Sequence, residues 1–344
     1  MDPHKVERSK GRYEKVKHLG EGQFANVYLA KDTINNDLVA IKKIKLGSVT
    51  EVRDGVNRTA LREIKLLQEI KHDNIICLRD VIGHKKNIQL VMDFMETDIE
   101  KVIQEKKIIL MLPHIKNIVL QVLLGLEYLH SNWILHRDLK PNNLLINSNG
   151  RVKITDFGLA RYYGSPNKQY TCQVITIWYR PPELFYGASN YSGSIDIWSV
   201  GCIIAELLLR TPIFPGKSDL DQLSKIFHIL GTPKLEDWPL MTELPGYCEA
   251  KPEPGIELNQ VFTAASNDLL ELIKGTFVFN PLKRFTATQC LESNYFKSEP
   301  YACSDNEIPL PEKAHENPLM KVSKQRRKNN ISDDGTVRRR LEFN

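Results

Sequence analysis

His136-Arg-Asp138-Leu-Lys140-Pro-Asn-Asn143, followed by Asp156-Phe-Gly158, is the stretch of this 344-residue chain that decides how the rest is read. Asp138 is placed to accept the proton of a substrate hydroxyl, and Lys140 to stabilise charge developing on a transferred phosphoryl group. Asn143 and Asp156 offer oxygen ligands from two separate loops, an arrangement that holds Mg²⁺ beside substrate phosphates. Each residue alone would pass for a surface polar group. Their order and spacing carry the reading, because phosphoryl transfer asks mainly for positioning, metal ions and charge stabilisation.

Upstream, Gly20-Glu-Gly22-Gln-Phe-Ala25-Asn-Val27 is a glycine-rich loop with Ala25 at its third small position. Gly20 and Gly22, lacking Cβ atoms, let the backbone approach phosphate oxygens. A dinucleotide-binding loop would open a helix directly after the glycines. Val27-Tyr-Leu-Ala30 instead has strand composition, so a hairpin covering the phosphates fits better. Ala40 and Lys42 share one face of the strand 39–44, and an ammonium there can pair with phosphate oxygens. Glu63 lies three residues after Ala60 and four before Leu67, on the apolar side of a helix predicted over 59–70. An unpaired carboxylate there is costly, and Lys42 is its natural partner. Such a pair is also a switch, since tilting the helix would break it.

Short strands and turns over 13–95 give way to a helical pattern from about residue 96. Ile115, Ile118, Val119, Val122, Leu123, Leu126 and Leu129 form an i, i+3, i+4, i+7 stripe, and further helices are predicted over 195–209 and 267–277. The expected organisation is an N-terminal extension (1–12), a small sheet-rich lobe (13–95), a larger helical lobe (96–298) and a flexible basic tail (299–344). The net charge of +5 resides in residues 321–344, which hold eight Lys/Arg and three Asp/Glu, while the remainder is balanced. No nucleic-acid-binding face is therefore expected on the folded body. Six scattered cysteines without metal-ligand spacing read as free thiols. No apolar run approaches a membrane span, no apolar signal segment opens the chain, and no membrane partner is expected, so the protein is expected inside the cell.

These motifs together resemble the eukaryotic protein kinase family over residues 13–298. Pro181-Pro-Glu183, Asp196-Ile-Trp198-Ser-Val-Gly201 and Arg284 extend the match. The resemblance implies an α+β bilobal fold, a β-rich N-lobe with one regulatory helix and a larger α-helical C-lobe. It also implies that Glu183 pairs with Arg284 and that Asp196 anchors the catalytic loop. Asn57-Arg-Thr-Ala-Leu-Arg-Glu63 and Trp178-Tyr-Arg180-Pro-Pro-Glu183 narrow the resemblance to cyclin-dependent kinases. Asp93-Phe-Met-Glu-Thr-Asp98, Gly164-Ser-Pro-Asn167 with Tyr170-Thr171, and Ser218-Asp-Leu-Asp-Gln-Leu223 point within them to the branch that activates other cyclin-dependent kinases as part of transcription factor II H.

The implied reaction transfers the ATP γ-phosphoryl to Ser or Thr, with Mg²⁺. The backbones of Asp93 and Met95 would hold the adenine, with Leu19 and Gly20 at the covering loop; Val27, Ala40 and Leu145 would sandwich it, and Asp98 would reach the ribose. Met92 stands behind the adenine, where relatives usually carry phenylalanine. Phosphorylated Thr171 would be clamped by Arg62, Arg137 and Arg161, and Ser165, preceding Pro166, is a second candidate phosphorylation site. Val174 and Ile175 would favour proline after the target hydroxyl. The implied partners are a cyclin like cyclin H, a RING-finger assembly factor and transcription factor II H. The implied substrates are activation-loop threonines of cyclin-dependent kinases and the RNA polymerase II C-terminal repeat. Basic clusters Lys324-Gln-Arg-Arg-Lys328 and Arg338-Arg-Arg340 suggest nuclear import, hence a nuclear and also cytoplasmic location. A sibling kinase with another cyclin, or a non-catalytic scaffold on the same fold, are the competing readings. Intact Lys42, Glu63, Asp138, Asn143 and Asp156 argue against the scaffold.

Overall fold

The computed structural model describes residues 11–21, 25–44, 58–84, 87–164 and 169–311. Strands β1 (Tyr13–Glu21), β2 (Ala25–Asp32), β3 (Leu38–Ile44), β4 (Leu78–His84) and β5 (Asn87–Asp93) form one antiparallel sheet in the order β1-β2-β3-β5-β4. Alternation sets the faces of β3: Val39 and Ile41 are buried on one side, while Ala40 and Lys42 face the other. The turn between β2 and β3 closes with Asn36 at φ 64°, and Asp32 accepts from the Ile34 amide. Helix α1 (Arg58–Glu69) buries Ala60, Ile64 and Leu67 beside the sheet, at the spacing that predicted it.

The second lobe is helical. It contains α2 (Ile99–Gln104), α3 (Leu112–Ser131), α4 (Pro182–Phe185), α5 (Ser194–Leu209), α6 (Asp219–Leu230), α7 (Leu258–Val261), α8 (Asn267–Thr276) and α9 (Ala287–Glu292). The seven apolar residues of the α3 stripe are all buried. Helix α5 is apolar nearly all round and occupies the centre, with Ile195 and Trp198 wholly buried. Gly201 permits α5 to approach α8, because a Cβ there would lie 2.3 Å from Thr276 Oγ1. Short strands β6 (Thr97–Asp98), β8 (Leu144–Ile146) and β9 (Val152–Ile154) form a small sheet under the junction of the lobes, and β7 (Ile134–Leu135) pairs with β10 (Arg161–Tyr162). The loops of the decisive motif hang between these strands.

Both outer boundaries need correction. Arg12, assigned to the extension, pairs with buried Asp32 at 2.8 Å. The flexible tail, expected from residue 299, is packed structure through 311. Ser304 and Glu307 form a capping box, and Ile308 and Leu310 are buried in the C-lobe core. Proline and polar composition hid this, since the segment is held by side chains of α3 rather than by its own periodicity. Residues 312–344, with both basic clusters, lie outside the described residues.

Candidate active site

Ala25, Val27 and Ala40 from the sheet, and Leu145 from β8, line a cavity of about 440 Å³ between the lobes. Met92 and Ile76 form its back wall, and Leu19, Gly20, Asp93, Met95 and Asp98 line it too. Its size and apolar walls with a few polar groups suit a flat heteroaromatic ring with phosphates. The hairpin above it pairs Gly20 with Val27 and Glu21 with Asn26; Gly22 lies outside the described residues. The Asp93 side chain is engaged elsewhere, with Arg79 at 2.8 Å and Lys153 at 3.0 Å, so this residue offers the cavity its backbone.

Asp98 lines the cavity with its carboxylate already engaged. Its Oδ1 caps α2 by accepting from the Lys101 amide at 2.9 Å, and its Oδ2 pairs with Lys101 Nζ at 2.6 Å. A ribose hydroxyl would share this carboxylate with Lys101, which also lines the cavity and which the sequence reading missed.

Lys42 Nζ lies 2.8 Å from Glu63 Oε1 and 3.1 Å from Asp156 Oδ1. Burial pulls the Lys42 ammonium down, but the two carboxylates outweigh it and hold it above the usual lysine value. Asp156 is pushed up by burial and pulled further down by Lys42, His136 and Lys140, so it stays ionised. Its backbone is left-handed, at φ 65° and ψ 70°, which aims the residue into the cavity.

The catalytic loop is fixed from below by Asp196, whose carboxylate accepts from the amides of His136 (3.0 Å) and Arg137 (2.9 Å) and bonds His130 Nε2 (3.0 Å). Asp138 Oδ1 accepts from Thr176 Oγ1 at 2.9 Å, and Oδ2 from Lys140 Nζ at 2.8 Å. Thr176, absent from the sequence reading, also accepts from Lys140 at 2.9 Å and so bridges acid and base. Asn143 Nδ2 donates to the Asp138 carbonyl (2.8 Å) and to its Oδ2 (3.1 Å), leaving the Asn143 amide oxygen as its ligand atom. That oxygen and the Asp156 carboxylate are hard donors suited to Mg²⁺. Among the described residues no group of three His, Cys, Asp or Glu could hold a metal alone. A cation here would take the rest of its shell from phosphate and water.

Arg137 donates to the Leu159 carbonyl and to Tyr191 Oη, each at 2.8 Å, and Tyr191 donates to the Thr171 carbonyl at 2.8 Å. Burial lowers the Arg161 guanidinium from its usual value, and the positive charges of Arg137 and Arg62 lower it further. Among the described residues none of these three arginines has a carboxylate partner. The three guanidinium groups thus concentrate positive charge in one region, and Arg137 is joined to the backbone of exposed Thr171 through Tyr191. Ser165 and Asn57 lie outside the described residues. Glu183 and Arg284 make a buried two-pronged pair at 2.7 and 3.0 Å. Val174 and Ile175 are buried; Ile175 has φ 66°, and Arg180 binds both of their carbonyls.

The protein kinase domain family matches residues 13–296. The cyclin-dependent kinase 7 of Caenorhabditis elegans is 62% identical over 334 residues, covering 96% of this chain and 99% of the relative. That of Xenopus laevis is 53% identical and covers 96% of each. Among solved structures, a chain of the CAK complex from Chaetomium thermophilum bound to ATP-gamma-S superposes with TM-score 0.84 at 39% identity, covering 90% of this chain and 98% of that one. A chain of the yeast RNA polymerase II CTD kinase complex CTDK-1 superposes with TM-score 0.80 at 37% identity, covering 88% and 97%.

Proposed function

The chain belongs to the cyclin-dependent protein kinase family, in the group of cyclin-dependent kinase 7, and on that premise we propose that it phosphorylates two substrate classes. These are the activation-loop threonines of other cyclin-dependent kinases and the Ser-Pro sites of the RNA polymerase II C-terminal repeat. It is a serine/threonine kinase that uses ATP and works with a cyclin. The observation that carries the reaction is the Asp138–Thr176–Lys140 triangle facing Asn143 and Asp156. Asp138 accepts the proton of the acceptor hydroxyl, and Lys140 steadies the charge of the phosphoryl group in flight. Lys42, held by Glu63, orients the nucleotide phosphates. Mg²⁺, held by Asn143 and Asp156, would neutralise charge on those phosphates.

The intact Lys42–Glu63 pair supports α1 as the docking element for a cyclin, with Leu61 half-exposed on its outer face. The arginine cluster supports Thr171 as the activating phosphorylation site. The likeness to the two kinase complexes supports a cyclin H-like partner; a RING-finger assembly factor, membership of transcription factor II H and a role in transcription initiation and cell-cycle control are proposed on the motifs shared with that branch of the family. The tail's basic clusters support a nuclear location with a cytoplasmic pool.

Radiolabelled phosphate transfer to a heptad-repeat peptide and to an inactive cyclin-dependent kinase tests this. The chain alone, the chain with cyclin H, and Asp156→Asn with cyclin H would be compared. Cyclin-dependent labelling of both substrates, lost in Asp156→Asn, is the expected result. Labelling of the repeat peptide alone would assign the chain to a transcriptional sibling, and no labelling of either by a folded complex would sink the reading.

A further inference from the structure

Residues 303–305 close a chain of buried amides that ends on β9, the strand two residues before Asp156. Asp305 Oδ1 accepts from Asn117 Nδ2 at 3.1 Å and from Gln121 Nε2 at 3.4 Å, and Oδ2 pairs with Arg151 at 3.0 Å. The Cys303 carbonyl accepts from Asn117 Nδ2 at 2.6 Å. Gln121 Nε2 also donates to Asn117 Oδ1 (2.6 Å) and to the Gly150 carbonyl (3.0 Å). Gln121 Oε1 in turn accepts from the Val152 amide (2.8 Å) and from Asn74 Nδ2 (3.0 Å). Asn74 completes the path: its Nδ2 donates to the Val152 carbonyl at 3.0 Å, and its own carbonyl accepts from the Ile154 amide at 2.9 Å.

The arrangement matters because β9 is a short strand whose open side is held by these amides together with the backbone of Ile75 and Ile76, the Ile76 amide donating to the Ile154 carbonyl at 3.0 Å. The strand spans three residues and pairs with one strand, β8, while Asn74 and Gln121 take backbone groups on its open side. Asn74, Asn117 and Gln121 are all buried, so each amide depends on its neighbours for orientation. Gly150, at φ 76°, fits the turn before β9 against the same segment, where a Cβ would lie 1.7 Å from the Asp305 carbonyl. Two residues beyond Ile154 stands Asp156.

We propose that the segment 299–311 is a positioning element of the kinase, with Asp305 acting through Asn117, Gln121 and Asn74 on β9 and hence on the placement of Asp156. The proposal rests on the role given to Asp156 above. Loss of the Asp305 carboxylate leaves one Asn117 Nδ2 proton without its acceptor, while Gln121 Nε2 keeps Asn117 Oδ1 and the Gly150 carbonyl, so the disturbance reaches Gln121 through a reoriented Asn117. Asp305→Asn keeps Oδ1 as an acceptor and gives up the charge facing Arg151. Lys116→Met serves as the control, since Lys116 Nζ holds the same C-terminal run at the Ser298 carbonyl (2.7 Å) without touching β9.

The test uses the full chain in complex with its cyclin. Asp305→Ala is expected to lower kcat by about 2- to 30-fold and to raise the Mg²⁺ concentration for half-maximal rate. It should also speed hydrogen exchange at the Val152 and Ile154 amides while leaving α8 unchanged. Asp305→Asn should recover most of the rate, and Lys116→Met should keep kcat. Unchanged exchange at β9, or exchange that quickens equally across the whole C-lobe, overturns the proposal. So does a wild-type kcat and Mg²⁺ requirement in Asp305→Ala. Exchange needs no turnover, so it decides the positioning even where the wild-type complex transfers no phosphate.

Discussion

The carbonyl oxygen of Ile175 accepts from Arg180 Nη2 at 3.0 Å while Ile175 itself holds a φ of 66°. A β-branched residue in the left-handed region costs about 1–3 kcal/mol, so the arginine must hold it there. The strain turns the carbonyl toward Arg180 and leaves no main-chain acceptor for the substrate residue after the target hydroxyl. Proline, without an N–H, loses nothing at such a position, whereas other residues bury an unmet donor. Arg180→Met is expected to lower kcat/KM on a Ser-Pro peptide by about tenfold, the worth of a lost charged hydrogen bond. The preference over the matching Ser-Ala peptide should shrink with it. Steady-state kinetics on the two peptides checks this, and an unchanged ratio would refute the account.

Thr176 offers a second test. Its hydroxyl donates to Asp138 and accepts from Lys140, so it sets the distance between the proton acceptor and the charge stabiliser. Thr176→Val keeps the shape and removes both bonds. It should cost about 10- to 100-fold in kcat with little change in the KM for ATP, because the loss falls on the transition state. Thr176→Ser should retain most activity. A KM effect without a kcat effect would place Thr176 in binding instead.

The site was legible in the sequence where one short motif carries it. His136–Asn143 and Asp156–Gly158 are local, and the demand of Glu63 for a cation followed from helical spacing alone. The missing pieces are contacts between residues distant in the chain. Thr176 reaches Asp138 across 38 residues, and Asp305 reaches Asn117 across 188. No periodicity marks such pairs, and a threonine or aspartate in a loop has many ordinary uses. The engagement of Asp98 by Lys101 is likewise outside the motif, although an aspartate at the start of a helix is a cap signal. The packed segment 303–310 failed for the reverse reason, since its composition resembles a linker and its anchors lie on α3.

Phosphorylation of Thr171 should stabilise the chain through Arg62, Arg137 and Arg161. Without phosphate these cations repel one another, and that repulsion adds to burial, the larger cause, in lowering Arg161. Arg62→Ala is therefore expected to leave the melting temperature of the unphosphorylated protein unchanged or slightly raised. In the phosphorylated protein it should remove part of the gain, about 1–2 °C for each kcal/mol of charged hydrogen bond lost. Calorimetry of both forms, with and without the substitution, separates the two signs. A drop of equal size in both would mean that Arg62 supports the fold and not the phosphate.

Glu206 makes the stability of the fold depend on pH. It is buried in α5, where burial pushes its carboxyl up and the charge of Glu100 adds to the push, opposed by the Tyr179 hydroxyl donating at 2.7 Å. Among the described residues no cation pairs with it. A carboxyl whose folded value is raised penalises the folded state when ionised, so the penalty is full above that raised value. As pH falls through the folded value toward the ordinary glutamate value of about 4.3, protonation removes it. Glu206→Gln keeps an oxygen for Tyr179 and carries no charge. It should melt about 2 °C or more above the wild type at pH 8, with the difference shrinking steadily as pH approaches about 4.5. A variant that melts lower at pH 8 would mean that the ionised carboxylate is stabilised by its surroundings and that its value is not raised.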